Sequence, residues 1–384
     1  MTDASAHQRE LRRLQEQTAE IHAQLTTSER EWARKQPFLE SRGYLLRSRY
    51  RPGWIPSWRK PNFVGRKNRC EDWDASPLAP LIDATRLSDG QLVYVKRVTT
   101  GDEESRIVSM FSAPPLSSDP RNHCVPVLDL FQDDEDPTVS YLVMPFLRLM
   151  DDPPFQVIDN IVDFVDQILE GLVFIHEHGV AHRDCALNNL MMDARPLFPR
   201  GFHPLQLLSL PDLSDRAPMR SRTEAAVKYY YIDFGISVHI PPNVHPKLIV
   251  GELGRDQEVP ELSSNVPYDP FKVDIFIIGN VLFTEFYDKY SNVGFLRPLI
   301  LSMTELDPRR RPDAPEALRQ WLEVRRRIPS LQRIARLRDR KEVWAQSALL
   351  DVFSFVKICV MISRRCWERL KMMLNALRWL VCSN

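Results

Sequence analysis

The chain has 384 residues, enough for one large two-lobed domain or two smaller ones with tails. Its 51 lysines and arginines balance 51 aspartates and glutamates, so bulk charge excludes a general preference for nucleic acid or membrane. Six scattered cysteines, no C-x-x-C pair and no signal-peptide pattern set the expectation of a reducing, cytoplasmic or otherwise intracellular location without structural zinc. Thirty prolines against thirteen glycines predict rigid turns and few flexible loops.

Residues from Ala6 to Ala33 lack proline and glycine and carry Leu11, Leu14, Ile21, Leu25 and Trp32 at helical spacing. The periodicity predicts one amphipathic helix, either self-associating as a short coiled coil or docking on the body of the protein. From Arg42 to Arg69 nine basic residues and no acid are interleaved with Tyr44, Tyr50, Trp54, Trp58 and Phe63. That pattern suits an anion or a nucleic-acid strand. Pro52, Pro56 and Pro61 favour instead an extended arm that wraps the fold with its tryptophans as anchors, leaving no specific nucleic-acid partner.

Leu81 to Val98 reads as a hairpin about the Ser88-Asp89-Gly90 turn, with Lys96 on the strand face opposite Val95. Helical spacing over 101–112 puts Glu104 on the same stripe as Ile107, Val108 and Phe111, where a glutamate needs a partner. Lys96 is the expected one, with Glu103 the alternative glutamate. Val125–Phe131 and Val139–Phe146 read as a strand pair split by an acidic turn, and Pro145 ends the second strand. A buried helix is predicted from Phe155 to His178.

It leads into VAHRDCALNNLMM, Val180 to Met192, where apolar flanks hold a polar loop of His182, Arg183, Asp184 and Asn189. An Asp and an Asn so spaced suit a loop that offers a carboxylate to a substrate hydroxyl and an amide to a metal. Residues 193–227, with several prolines and mixed charge, read as a mobile surface insertion. β-rich residues then run into Asp233-Phe234-Gly235. Val259-Pro260-Glu261 follows, then Asp274 within a very apolar helix, then Asp307-Pro308 and Arg311-Pro312.

These segments, in this order, resemble a eukaryotic-type protein kinase domain: V-A-I-K at VYVK, H-R-D-x-x-x-x-N at the loop, then D-F-G, A-P-E and a late D-P-x-x-R-P. The long inserted form also resembles a divergent fungal protein-kinase-like group. The resemblance implies an α+β, two-lobed protein-kinase-like fold. A small β-rich N-lobe would span 73–147 and a larger helical C-lobe 148–324, with the insertion at about 193–227. Residues 1–72 form the helix and arm, and 325–384 a basic amphipathic tail. It implies ATP and Mg²⁺ as cofactors and a protein hydroxyl as acceptor. Asp184 would orient that hydroxyl, Asn189 and Asp233 would hold the metal, and Lys96, paired with Glu104, would contact the phosphates. Lys96, Met144 and Phe146 are assigned to the nucleotide. Asp274 would bond the backbone of the polar loop, and Arg311 would pair with Glu261.

The chain departs from the pattern in three places. DASPLAPLID stands where a glycine-rich loop is expected, with Pro77 and Pro80 removing backbone donors. Ala186 stands where a lysine is usual, and neither Leu187 nor Asn188 replaces the charge. Ser237 is the sole hydroxyl between Gly235 and Pro260, so Glu252, Asp256 or Glu258 is expected to face Arg183 in place of a phosphate. The alternative is therefore a pseudokinase acting as a binding or scaffold module. In the tail, eight basic residues from Arg325 to Lys341 precede a run too short and too charged to span a membrane. A stripe of Trp367, Leu370, Met373, Leu374, Leu377, Leu380 and Val381 suits either peripheral membrane contact or packing on the body.

Overall fold

The computed structural model describes residues 2–67, 70–73, 80–241 and 243–354. Pro77 and the stripe from Trp367 to Val381 lie outside the described residues. The expected single N-terminal helix is two, α1 (Thr2–His22) and α2 (Thr27–Ser41). The break has a local cause: Thr26 and Glu29 form a reciprocal capping box, with the Thr26 N–H donating to Glu29 at 2.8 Å and Glu29 N–H to Thr26 Oγ1 at 3.3 Å. The two helices also differ in use. Leu14 and Ile21 of α1 are exposed, whereas Trp32 and Leu39 of α2 are buried.

What α2 covers is one face of an antiparallel sheet. Strand β1 (Tyr44–Leu46) pairs with β2 (Leu81–Arg86), and β2 with β3 (Leu92–Thr99), closing the predicted hairpin through Gly90 at φ 71°. Helix α3 (Glu103–Ser112) follows, capped by Asp102, and then β4 (Asp129–Gln132) and β5 (Val139–Pro145). The order across the sheet is β1-β2-β3-β5-β4. Period-two alternation puts Ile82, Ala84, Val93 and Val95 under α2, in a cluster with Trp32, Tyr44, Tyr50 and Tyr141. The opposite face, with Asp83, Tyr94 and Lys96, turns toward the helical part.

The arm between β1 and β2 packs inward. Tyr50 and Trp58 are buried, Trp54 donates its indole N–H to Asp72 at 2.9 Å, and Arg49 grips Glu29 through two nitrogens at 2.6 and 3.2 Å. Tyr50, Trp54 and Trp58 are thus built into the fold as anchors.

The helical part begins after β6 (Arg148–Leu149) with α4 (Ile158–Glu177), thirteen of whose twenty residues are buried. Short strands β7 (Val180–Ala181) and β8 (Leu190–Met192) flank the polar loop. Strand β9 (Tyr229–Tyr231) pairs with β8 and precedes Asp233. Then come β10 (Val238–His239), β11 (Ile249–Gly251), β12 (Ser263–Tyr268) and α5 (Pro270–Leu282), followed by α6 (Arg297–Met303), α7 (Ala314–Arg326) and α8 (Ser330–Arg333). The result is a mixed α+β protein, a curled antiparallel sheet set against helices.

The expectation for residues 193–227 needs correction. Residues 193–227 are not a loose surface insertion, because Leu197, Phe198, Phe202, Leu210 and Val227 are buried in the main core. Prolines there shape a packed loop. The basic stretch after α7 is likewise paired internally over its described part: Arg333 with Asp159, Arg336 with Glu342 and Asp351, and Arg338 with Asp351. Among the described residues no helix is long and apolar enough to cross a membrane.

Candidate active site

The site starts from Asp274, fully buried on α5. A carboxylate in an apolar helix must be satisfied, and this one accepts from the backbone N–H of His182 at 2.8 Å, that of Arg183 at 2.6 Å, and His176 Nε2 at 2.9 Å. It thereby holds Arg183 at φ 66°, in the left-handed region that costs a branched or long residue on the order of 1–3 kcal/mol. The turn aims Asp184 and Asn189 at one another. Asn189 Nδ2 donates to Asp184 Oδ2 and to its carbonyl, both at 2.8 Å. With the amide nitrogen so engaged, the Asn189 side-chain oxygen is the atom left for a cation.

The ladder of β8 with β9 sets the next piece. Ile232 N–H donates to Asn189 O at 3.0 Å, so Asp233 emerges from the same end of the ladder as Asn189. Asp233 is also left-handed, at φ 61°. Phe234 is fully buried, with ring centroids 4.7 Å from His182 and 6.1 Å from Phe111 of α3. That packing ties α3, which carries Glu104, to the segment that carries Asp233.

Lys96 completes the set. Its Nζ donates to Glu104 Oε1 at 2.6 Å and Oε2 at 2.8 Å, and to Asp233 Oδ1 at 2.8 Å. Burial opposes the lysine charge, but Glu104 and Asp233 outweigh it and raise the pKa. Asp233 is lowered, since Lys96 outweighs burial there, whereas burial leaves Glu104 raised despite Lys96. Glu103 pairs with Arg106 on the outside of α3. The structure thus brings Lys96, Glu104 and Asp233 into contact and places Asp184 and Asn189 beside them. Two oxygen donors of hard character, Asn189 and Asp233, are a donor set suited to Mg²⁺.

Met144 and Phe146 stand on β5 and just beyond it, both buried. Phe146 stacks on Tyr94, centroids 4.4 Å apart and planes at 18°, and its other neighbour is Phe202 at 5.7 Å. Tyr94 shares the strand face of Lys96 and occupies the alanine position of the V-A-I-K pattern. The alternation of β3 already carried that signal. Alongside, a cleft of about 840 Å³ opens between the sheet and residues 195–213, lined by Arg47, Asp83, Phe146, Arg195 and Phe202. Arg47, at the start of the arm, donates to Asp83 at 2.7 Å.

The expected partners of Arg183 are corrected. Its guanidinium donates to Ile236 O at 2.9 Å and Tyr268 Oη at 3.2 Å; Glu252 instead accepts from Ser264 N–H, and Asp256 and Glu258 from Asn280. Ser237 is buried and donates to His182 O at 3.0 Å. Glu261 accepts two bonds from buried Arg311, at 2.6 and 2.8 Å. One residue near Asp184 was not legible in the sequence: the Arg255 backbone N–H donates to Asp184 Oδ1 at 2.7 Å, from 71 residues away.

No protein-family model matches the chain. A curated protein similar to part of it is serine/threonine-protein kinase HAL5 of Candida glabrata, 27% identical over 127 residues. That stretch covers 33% of this chain and 12% of the relative, and it supports a protein-kinase-like relationship.

Proposed function

We propose that the chain is a protein-kinase-type phosphotransferase that transfers the γ-phosphoryl group of ATP to a protein hydroxyl. The carrying observation is the Lys96 ammonium bridging Glu104 and Asp233 beside the Asp184–Asn189 loop. Drawing such charges together out of water is expensive, and packing alone does not require it. The likeness to a named serine/threonine kinase supports the same reading. On it, β1 to β5 with α3 form an N-lobe and the helices from α4 onward a C-lobe, within an intracellular protein.

The residues divide the work as phosphoryl transfer demands, by positioning and by neutralising charge. Lys96, held by Glu104, faces the nucleotide phosphates as a fixed cation. Asn189 and Asp233 would hold Mg²⁺, which when bound neutralises the phosphate oxygens. Asp184, fixed by Asn189, accepts the hydroxyl proton and orients the attacking oxygen. Phe146 borders the cleft from which the nucleotide enters.

A second reading, a scaffold that no longer turns over, draws on the Tyr94–Phe146 stack, which fills space between β3 and the cleft. Mg–ATP should raise the melting temperature of the purified chain, and phosphate incorporation should vanish in Asp184→Asn and Asp233→Asn. Binding without incorporation in the parent chain would select the scaffold.

A further inference from the structure

Ala186 leaves the polar loop without a cation next to the reacting oxygens. A guanidinium from elsewhere stands beside it. Arg255 lies between β11 and β12, with Nε 3.5 Å from Asp184 Oδ2. Its side chain is 54% exposed, so the charge borders the open side of Asp184 rather than being sealed in the core. Arg255 therefore stands as a cation beside the carboxylate at which an accepting hydroxyl would sit.

The position is constructed. Gly254, at φ 144°, has backbone so close that an added Cβ would meet Arg183 O at 3.2 Å, and at Gly251, φ 138°, a Cβ would meet Arg183 Nη2 at 2.9 Å. Two of the thirteen glycines thus let this segment lie against Arg183-Asp184. Gln257 Nε2 donates to Gly254 O at 2.7 Å, and Asn280 Nδ2 to Asp256 Oδ2 at 2.8 Å, fixing the chain on the C-terminal side of Arg255. The Arg255 amide takes one acceptor position on Asp184; a carboxylate has about four, so a substrate hydroxyl still finds one.

We propose that Arg255 is a catalytic cation of the transfer, supplying from the segment between β11 and β12 the charge that Ala186 does not. This rests on the phosphotransferase reading above. The hydroxyl oxygen forms a bond to the γ-phosphorus, the bond from that phosphorus to the β–γ bridging oxygen breaks, ADP leaves with the electron pair, and the hydroxyl proton passes to Asp184. Arg255 gives up no proton; it stays charged throughout and neutralises the equatorial oxygens, as arginines do in other phosphoryl transfers.

The test uses the full chain with Mg–ATP, measuring γ-phosphate transfer to water, to the chain itself and to casein. Arg255→Ala should lower kcat by about 10²–10³-fold, as loss of one transition-state donor does, with a much smaller change in KM for ATP. Adding Ala186→Lys to Arg255→Ala should recover tenfold or more, because a lysine from the loop restores the charge but not any structural contact of Arg255. Transfer by Arg255→Ala at the parent rate overturns the role of Arg255 alone. So does a loss that Ala186→Lys leaves unrepaired, which would mark Arg255 as structural. A parent chain that transfers no phosphate overturns the phosphotransferase reading, and this inference with it.

Discussion

The helix side and the sheet side of the site are held by different forces. On the helix side, Asp274, His182, Arg183, Asp184 and Asn189 are joined by short hydrogen bonds among buried groups, with Phe234 packed beneath. On the sheet side, the connection from β1 to β2 is a wrapped arm fastened by Arg47 and Arg49, and the surface near Lys96 is an aromatic stack. The groups that would meet metal and hydroxyl are thus fixed by an all-or-none network, whereas those that would grip a nucleotide are fixed by packing that side chains can adjust. Hydrogen-bonded charge tolerates little displacement; stacked rings tolerate more.

The largest expected effect lies on the helix side. Asp274→Ala strips two buried backbone donors and the half-buried His176 of their acceptor and should cost roughly 5 kcal/mol by chemical denaturation, with loss of the loop geometry. A cost below about 1 kcal/mol would show that the network is not what fixes the loop. Next, Arg49→Ala leaves Glu29 buried without its cation and should cost roughly 3–4 kcal/mol, with proteolysis opening first in the arm. Equal protection of the arm would mean that its packing, not Arg49, fastens it.

Acid should separate the two sides. His123, wedged against α4, donates Nδ1–H to Tyr229 O at 2.8 Å, and burial drives its pKa from 6.5 down to about 4. The unfolded chain binds that proton first, so stability falls as pH drops from about 6.5 to 4, by on the order of 3 kcal/mol. In the sheet, Asp133 is lowered, with burial outweighed by Lys35 and Tyr141. Its contribution stays intact above its ordinary value of 3.8 and is lost only below it. Denaturation of His123→Asn across this range should show a shallower slope between pH 6.5 and 4, the remainder coming from groups such as His182, which burial lowers too; an unchanged slope would place the acid sensitivity elsewhere.

Much of the helix side was legible because its signals are local. The His182 to Asn189 loop, Asp233 and the lone Asp274 in an apolar helix declare themselves by residue type and spacing, Glu104 by the stripe it shares with Ile107 and Phe111, and the Glu261–Arg311 pair only through the kinase resemblance. Arg255 was not legible, since its approach to Asp184 exists only once the segment after β11 folds back. The fate of 193–227 was hidden for the same reason: prolines and charges mark a loop but say nothing about Phe202 meeting Phe146 or Phe198 lying under Arg148. The break at Thr26 was legible in the Thr26–Glu29 spacing, but the apolar period ran across it.

The smallest effect concerns the stack. Tyr94→Ala should cost about 1–2 kcal/mol of stability yet tighten nucleotide binding up to about tenfold, by opening space beside Phe146. Titration with ATP and Mg²⁺ followed by calorimetry checks both; weaker binding would make Tyr94 part of the nucleotide surface rather than an obstacle to it.

The central claim is that charges held by Asp274 and Lys96 serve phosphoryl transfer. It is tested most directly by a single-turnover measurement of γ-phosphate leaving Mg–ATP, in the parent chain and in Asp184→Asn. The parent should transfer phosphate and the variant should lose at least about 10²-fold in rate, as removal of a general base entails. Equal rates in the two, or none in a parent chain that binds Mg–ATP, would contradict it.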